Sequence, residues 1–324
     1  MKAIFSVANN QFKQSDIKTP SVSGYDVLVQ VKSVSVNPVD VKVASTLESG
    51  NQKILGYDGV GVIKEMGEHV SGFELNDRVF FSGSNIRSGS NAEMEVIDSR
   101  IIAHAPLELS DADAASMPLT SITAWESLFE KMALIPKADA NHQTILIING
   151  AGGVGSVAIQ LAKWAGLKVI ATASRPETID WVKKMGADQV INHRLDLKEQ
   201  LGDEKIDLAL ILHSTDMYLP QLASIVAPEG IIVSIVENEH PIEIGLLKDK
   251  SISFAWEFMF TKTKYQVDVQ SQGMILAEVS KLLDQKLIKS TTTKIIDGFL
   301  VDSFEKAYQL VRSNRMIGKV VIKY

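Results

Sequence analysis

An α/β fold, a β-rich part joined to a doubly wound parallel sheet, is predicted by two observations. From residue 144 onward, apolar runs that read as buried strands alternate with helical stretches, the pattern of a parallel sheet covered by helices on both faces. Up to about residue 105 the chain is instead short-patterned, alternating and glycine-punctuated, as in half-buried strands joined by turns. At 324 residues the chain is long for one domain and comfortable for two.

In the first part, YDVLVQVKSVSV alternates apolar and polar residues, while GVGVIKEMG and NDRVFFSG read as short strands closed by Gly or Asn-Asp turns. The character turns helical near LSDADAASMPLTSITAWESLFEKM. Ser110 can cap a short helix with Asp111 and Asp113 in its first turn. Ile122, Trp125, Phe129 and Met132 fall at helical spacing in a second helix. The runs TILIIN, KVIATA, DQVIN, IDLALIL, IIVSIV and SISFAW are the strands of the parallel sheet, with GVGSVAIQLAKWAG, ETIDWVKKMG and a helix over roughly 217–226 among their connections. After about 265 come a long amphipathic helix, a strand near TTTKII, a helix over 302–313 and a closing strand GKVVIKY.

Composition removes several function classes. Net charge is −6 and no Lys/Arg cluster could track a phosphate backbone, so no nucleic-acid partner is expected. No apolar run approaches the ~18 residues that span a bilayer, and MKAIFSVANNQFKQ is too polar for a secretory signal. No membrane partner is expected. There are no cysteines, which excludes disulfides, thiolate chemistry and every Cys-based zinc site and fits a cytoplasmic location.

The phosphate-binding candidate is TILIINGAGGVG. Gly150, Gly152 and Gly155 have G-x-G-x-x-G spacing between a predicted strand and a predicted helix, the context that gives this motif meaning. Gly150 permits the tight turn, Gly152 lets a pyrophosphate approach the backbone, and Gly155 lets helix and strand pack closely. Asn149, Gly153 and Val154 complete the loop, and the helix N-terminus offers N–H groups to phosphate. The loop reads as a Rossmann-type dinucleotide site, the alternative being a glycine-rich turn with no ligand.

Its specificity is written in ATASRPE, residues 171–177. NAD-binding units place Asp or Glu after the second strand to accept from the ribose hydroxyls. Between Lys168 and Pro176 there is no Asp or Glu. Ser174 can donate a hydroxyl, and Arg175 either makes charge-assisted bonds to a 2′-phosphate or is a solvated loop cation; the expected cofactor is NADPH. His193, after the third strand, either adds a contact to that phosphate or the adenine, or is simply exposed. His213 and Ser214 end the fourth strand at the carboxyl edge where such sheets bind ligands, beside the cofactor ribose.

IINGAGGVGSVAIQLAKWAG, MPLTSITAWESL, KKMGADQVIN and the terminal GKVVI together resemble the medium-chain dehydrogenase/reductase superfamily. VSVNPVDVK and LGYDGVGVI point more narrowly to its zinc-free quinone oxidoreductase branch. FSGSNIRSGSNAEMEVID and SISFAWEFMF resemble the group often labelled zinc-type alcohol dehydrogenase-like proteins. The resemblance runs from the first strand to the last. It implies a discontinuous GroES-like catalytic domain over 1–120 and 265–324, a nucleotide-binding domain over 121–264, nicotinamide and substrate held between them, and a homodimer.

Zinc members place a Cys ligand in the segment matched by SVSVNPVD and a His ligand in the segment matched by GYDG. Here those segments carry Asn37 and Tyr57, the Cys-rich structural lobe is absent, and the six histidines show no HxxxH-type pairing. No metal is expected. Without a Lewis acid to polarise a carbonyl, the expected substrate is a quinone or an α,β-unsaturated carbonyl, whose conjugation spreads the incoming negative charge. Asn37 and Tyr57 are candidate hydrogen-bond donors to the developing enolate, or else structural bonds in turns. Asp40 is expected to hold the loop. In WEFMF, Phe258 and its neighbours either wall the nicotinamide pocket or form interface core. Lys319, beside Gly318, either reaches the cofactor or is solvated. Two rival readings are zinc-dependent alcohol oxidation and an NADPH-binding regulatory protein without turnover.

Overall fold

A computed structural model describes all 324 residues. The chain divides into two compact units, one formed by Met1–Ile122 with Phe260–Tyr324 and the other by Thr123–Met259.

In the first unit, a seven-stranded sheet runs in the order Thr292–Asp297, Lys319–Lys323, Asp26–Ser35, Asp58–Met66, Arg78–Ser82, Ile102–His104, and Met94–Asp98 also pairs with Asp26–Ser35. A smaller sheet holds Lys2–Val7 between Gln11–Asp16 and Gln52–Ile54. The alternation expected of DVLVQVKSVS gives way at both ends: Val27, Leu28 and Val29 are all buried where Met94–Asp98 pairs, and Ser33, Val34 and Ser35 are all buried at the far end. The returning tail strand accounts for the far end, since Val321 pairs with Ser35 and Ile322 with Val34. Val31, Val34, Val36, Phe304, Tyr308, Val320 and Ile322 share one apolar cluster. Both ends of the chain therefore build this core, and each fully buried Val or Phe contributes roughly 1.5–3 kcal/mol over exposure.

The second unit is a six-stranded parallel sheet in the order Gln189–Ile191, Lys168–Thr172, Thr144–Ile148, Ile206–Ile211, Val226–Ser234, Ser253–Trp256. Thr144–Ile148 opens the sheet in sequence yet lies between the second and fourth strands. The chain changes direction there, and the crevice this leaves at the carboxyl ends is where such sheets take ligands. The helix predicted around Trp125 and Phe129 is α-helical only over Pro118–Trp125 and continues as a π-helix over Glu126–Lys131. The wider winding accompanies close aromatic packing. Trp125 and Phe129 stand 4.6 Å apart, and the Trp164 ring lies 6.3 and 6.2 Å from them.

Ser110 caps the short helix Asp111–Ala115 as expected, accepting from the Asp113 backbone. No helix is long and apolar enough to cross a membrane.

Candidate active site

The glycine loop follows the strand Thr144–Ile148 and opens the helix Gly153–Trp164, whose N-cap is Gly152. No side chain caps that helix and no acid lies in its first turn. Its N–H groups and positive dipole end are thus unopposed at the crevice, which fits a pyrophosphate. A Cβ at Gly155 would fall 2.6 Å from the Asn149 carbonyl and 2.7 Å from that of Gly150, both backbone atoms, so this glycine is required. The role expected of Gly150 needs correction. The left-handed residue of the turn is Asn149, with φ +63°, whereas a Cβ on Gly150 would meet Ala171 at 2.9 Å and Val182 at 3.2 Å. Gly150 is there for packing. At Gly152 the nearest obstacle is the Asn149 side chain at 3.1 Å.

Lys168–Thr172 and Gln189–Ile191 run parallel, with Thr172 opposite Ile191. Ser174 and His193 each come two residues later, at the same edge of the sheet. Arg175 is the N-cap of the helix Pro176–Met185. Its Nε lies 3.3 Å from the Glu177 carboxylate, an acid just inside the helix and beyond the Lys168–Pro176 stretch that carries none. Arg194 was missed too. Its charge, after burial and together with His213, lowers the pKa of the half-buried His193 imidazole. The strand register therefore brings Ser174 and Arg175 to the same edge as His193 and Arg194, and the two arginines supply the positive charge that a phosphate would need. Ser214, at φ +47°, turns the chain into the helix Thr215–Ile225 and caps it.

In the first unit, Asn37 precedes the helix Pro38–Ser45, and Tyr57 precedes the strand Asp58–Met66. The two segments are bonded together. Asp40, fully buried, accepts from the backbone N–H of Asn37 at 2.8 Å and of Gly56 at 3.0 Å, so it does hold the loop. Burial pushes its pKa up to about 7, against the lowering effect of those N–H groups and Lys319. Asn37 Nδ2 donates to Asp58 at 2.8 Å and to the Ser35 carbonyl at 3.3 Å, while its Oδ1 accepts from Lys319. Both amide N–H groups are engaged, so Asn37 anchors the site rather than donating to a substrate. Lys319 is buried, neither solvated nor at the surface, and bonds Asp58 at 2.9 Å.

Tyr57 differs from all of these. Its hydroxyl is buried with no hydrogen-bond partner, and its ring lies 4.7 Å from that of Phe260. Burial first, and then the Asp40 charge, push its pKa well up, so it stays a neutral O–H donor. WEFMF divides. Trp256 and Phe258 are exposed, Phe260 is buried against Tyr57, and Glu257 is buried in the second unit. Burial, then the hydrogen bond and charge of Glu126, raise the Glu257 pKa to about 9, with Lys131 3.6 Å away.

The residues at the two segments do not fit zinc. They offer an amide, a phenol and two carboxylates, with no thiol or imidazole. Both carboxylates are engaged: Asp40 accepts from the Asn37 and Gly56 N–H groups, and Asp58 from Leu119 N–H, Asn37 and Lys319.

Residues 23–104 match the family described as alcohol dehydrogenase GroES-like domain, and 153–270 match that described as zinc-binding dehydrogenase. A zinc-type alcohol dehydrogenase-like protein of Staphylococcus epidermidis is 43% identical over 97% of this chain and 95% of its own. A quinone oxidoreductase of Lama guanicoe is 31% identical over 78% of each chain. A solved structure from Rhizobium etli CFN 42, named after the zinc-dependent alcohol dehydrogenases, superposes with a TM-score of 0.93 at 38% identity, over 100% of this chain and 98% of its own.

Proposed function

Because this chain belongs to the medium-chain dehydrogenase/reductase superfamily, in its zinc-free quinone oxidoreductase-like branch, we propose that it is an NADPH-dependent reductase of quinones or α,β-unsaturated carbonyls. The observation that carries the reading is the Tyr57 hydroxyl, a buried neutral donor without a partner in the segment where zinc members place a ligand. The kinship to a quinone oxidoreductase supports the substrate class.

The residues of the second unit fit a dinucleotide. Gly152, Gly153, Val154 and Gly155 would hold its pyrophosphate on the uncapped helix, with Asn149 setting the turn. Ser174 and Arg175, with His193, would hold a 2′-phosphate, and His213 and Ser214 would border the ribose. When bound, NADPH supplies a hydride.

Tyr57 then donates its O–H to the substrate oxygen, where negative charge gathers. A donor fixed in a dry setting costs no reorganisation as that charge forms. Tyr57 keeps its proton, because burial disfavours the phenolate, so the final proton comes from solvent. Asn37, Asp40 and Asp58 hold the Tyr57 segment in place. Conjugation in the substrate supplies the charge dispersal that a metal would otherwise provide.

The experiment is NADPH oxidation over a panel of quinones, enones and aldehydes, each with NADPH and with NADH. Turnover should follow the electrophilicity of the conjugated acceptor. A protein that binds NADPH yet turns over no member of the panel would be the regulatory binder instead.

A further inference from the structure

The donor set at the two segments does not fit zinc, but a cation lies between them. Lys319 reaches in from the last strand of the chain and is only 4% exposed. Its ammonium donates to the Val36 carbonyl at 3.3 Å, to Asn37 Oδ1, and to Asp58 Oδ2 at 2.9 Å. Val36 and Asn37 belong to the first ligand segment, and Asp58 is next to Tyr57 in the second. Asp58 Oδ1 accepts from the Leu119 N–H at 2.7 Å. The nitrogen therefore has three oxygen partners from two segments.

We propose that Lys319 is the built-in counterpart of the absent metal: its ammonium cross-links the Asn37 and Tyr57 segments as an ion would, and so positions the Tyr57 donor. It is a positioning residue, with no contact to the reacting atoms. Its role in catalysis rests on the reading of Tyr57 above, but its role as a bound cation does not.

The chemistry explains why an ammonium serves. Its three N–H bonds match three acceptors, and the pairing with Asp58 leaves no uncompensated buried charge. Removing one partner of such a pair is strongly destabilising, because the other stays charged in a poor solvent. Removing both charges is far milder. Unlike a metal, the cation is part of the chain, cannot be chelated, and presents no open coordination position to a substrate.

The test is thermal unfolding of Lys319→Met, Asp58→Asn, the double variant and Lys319→Ala. Lys319→Met should lower Tm by roughly 6–10 °C, and the double variant should recover most of that loss. Lys319→Ala leaves a cavity shaped for a propylammonium ion. Added propylammonium should raise its Tm in a saturable way, while tetramethylammonium at equal ionic strength, which cannot donate a hydrogen bond, should not. The restored protein should regain kcat with an unchanged dissociation constant for NADPH. If Lys319→Met is as stable as the native protein, the proposal fails. It fails equally if the double variant is no better than Lys319→Met, unfolded variants included, or if propylammonium acts no differently from tetramethylammonium. Were the Tm results to hold while the native protein reduced no quinone or enone, the cation assignment would stand and the proposed function would fall.

Discussion

Lys319 and Asp58, 261 positions apart in the chain, meet at 2.9 Å with neither side chain open to solvent. The pair joins the last strand of the fold to the segment that presents Tyr57. It turns a site that could be described by what it lacks, a metal, into one described by what it contains: an internal cation, an engaged amide and one unengaged phenol.

The phenol gives the first prediction. Tyr57→Phe removes the hydroxyl and leaves the ring on Phe260. Loss of one donor to a developing oxyanion typically costs about 10²-fold or more in kcat. We expect a fall of that order for quinone or enone reduction, with NADPH affinity within twofold of native. Asn37→Ala should act differently, lowering stability as well as rate, because it strips Asp58 and Lys319 of a partner. Steady-state kinetics beside thermal unfolding separates the two patterns.

In the second unit, Arg175→Ala should weaken NADPH by roughly 1.5–3 kcal/mol, about one to two orders of magnitude in dissociation constant. NADH should be almost unaffected, having no group for that cation to hold. Glu177 adds a second arm. It competes for the same guanidinium, so Glu177→Gln should tighten NADPH and leave NADH alone. Paired titrations of both cofactors decide this. Equal losses for NADPH and NADH in Arg175→Ala would assign the residue to the fold or the adenine.

The glycine loop should tolerate change unequally. Gly155→Ala drives a methyl into two backbone carbonyls and should abolish measurable dinucleotide binding or the folding of the second unit. Gly152→Ala meets only a movable Asn149 side chain and should fold normally, with cofactor affinity reduced by the methyl at the phosphate position. Isothermal titration on the two variants checks the order.

Much of this was readable from the sequence because it depends on local pattern. Apolar runs alternating with helical stretches announced the parallel sheet, the spacing of Gly150, Gly152 and Gly155 announced a tight strand-to-helix loop, and Ser110 announced its helix. What escaped was non-local. That Lys319 pairs with Asp58 depends on a tail strand laid beside Asp26–Ser35. That Asn37 is engaged while Tyr57 is not depends on which acceptors folding brings to each. Glu177 and Arg194 were visible but unweighed, since their meaning comes from the neighbours that the sheet edge gives them. Glu126 and Glu257, 131 positions apart, share a buried setting that no window of sequence contains.

That carboxyl pair predicts a pH effect. The folded state holds the Glu257 proton up to about 9, while the unfolded chain releases it near 4.3. Between those values the folded protein binds more protons than the unfolded one, so this group's contribution to stability falls as pH rises and levels off above about 9. Glu257→Gln should flatten that slope and raise Tm at pH 8. A native Tm that rises steadily from pH 5 to 8, with an unchanged profile in the variant, would remove the pair from the account.

The proposed reaction is the reduction of quinones or conjugated carbonyls with NADPH and without a metal. Its most direct test is the rate of NADPH oxidation with 1,4-benzoquinone, measured on protein dialysed exhaustively against a chelator and again after zinc is restored. Turnover should be the same in both samples, with no comparable oxidation of ethanol with NADP⁺. Turnover that vanishes with the chelator and returns with about one zinc per chain would contradict it.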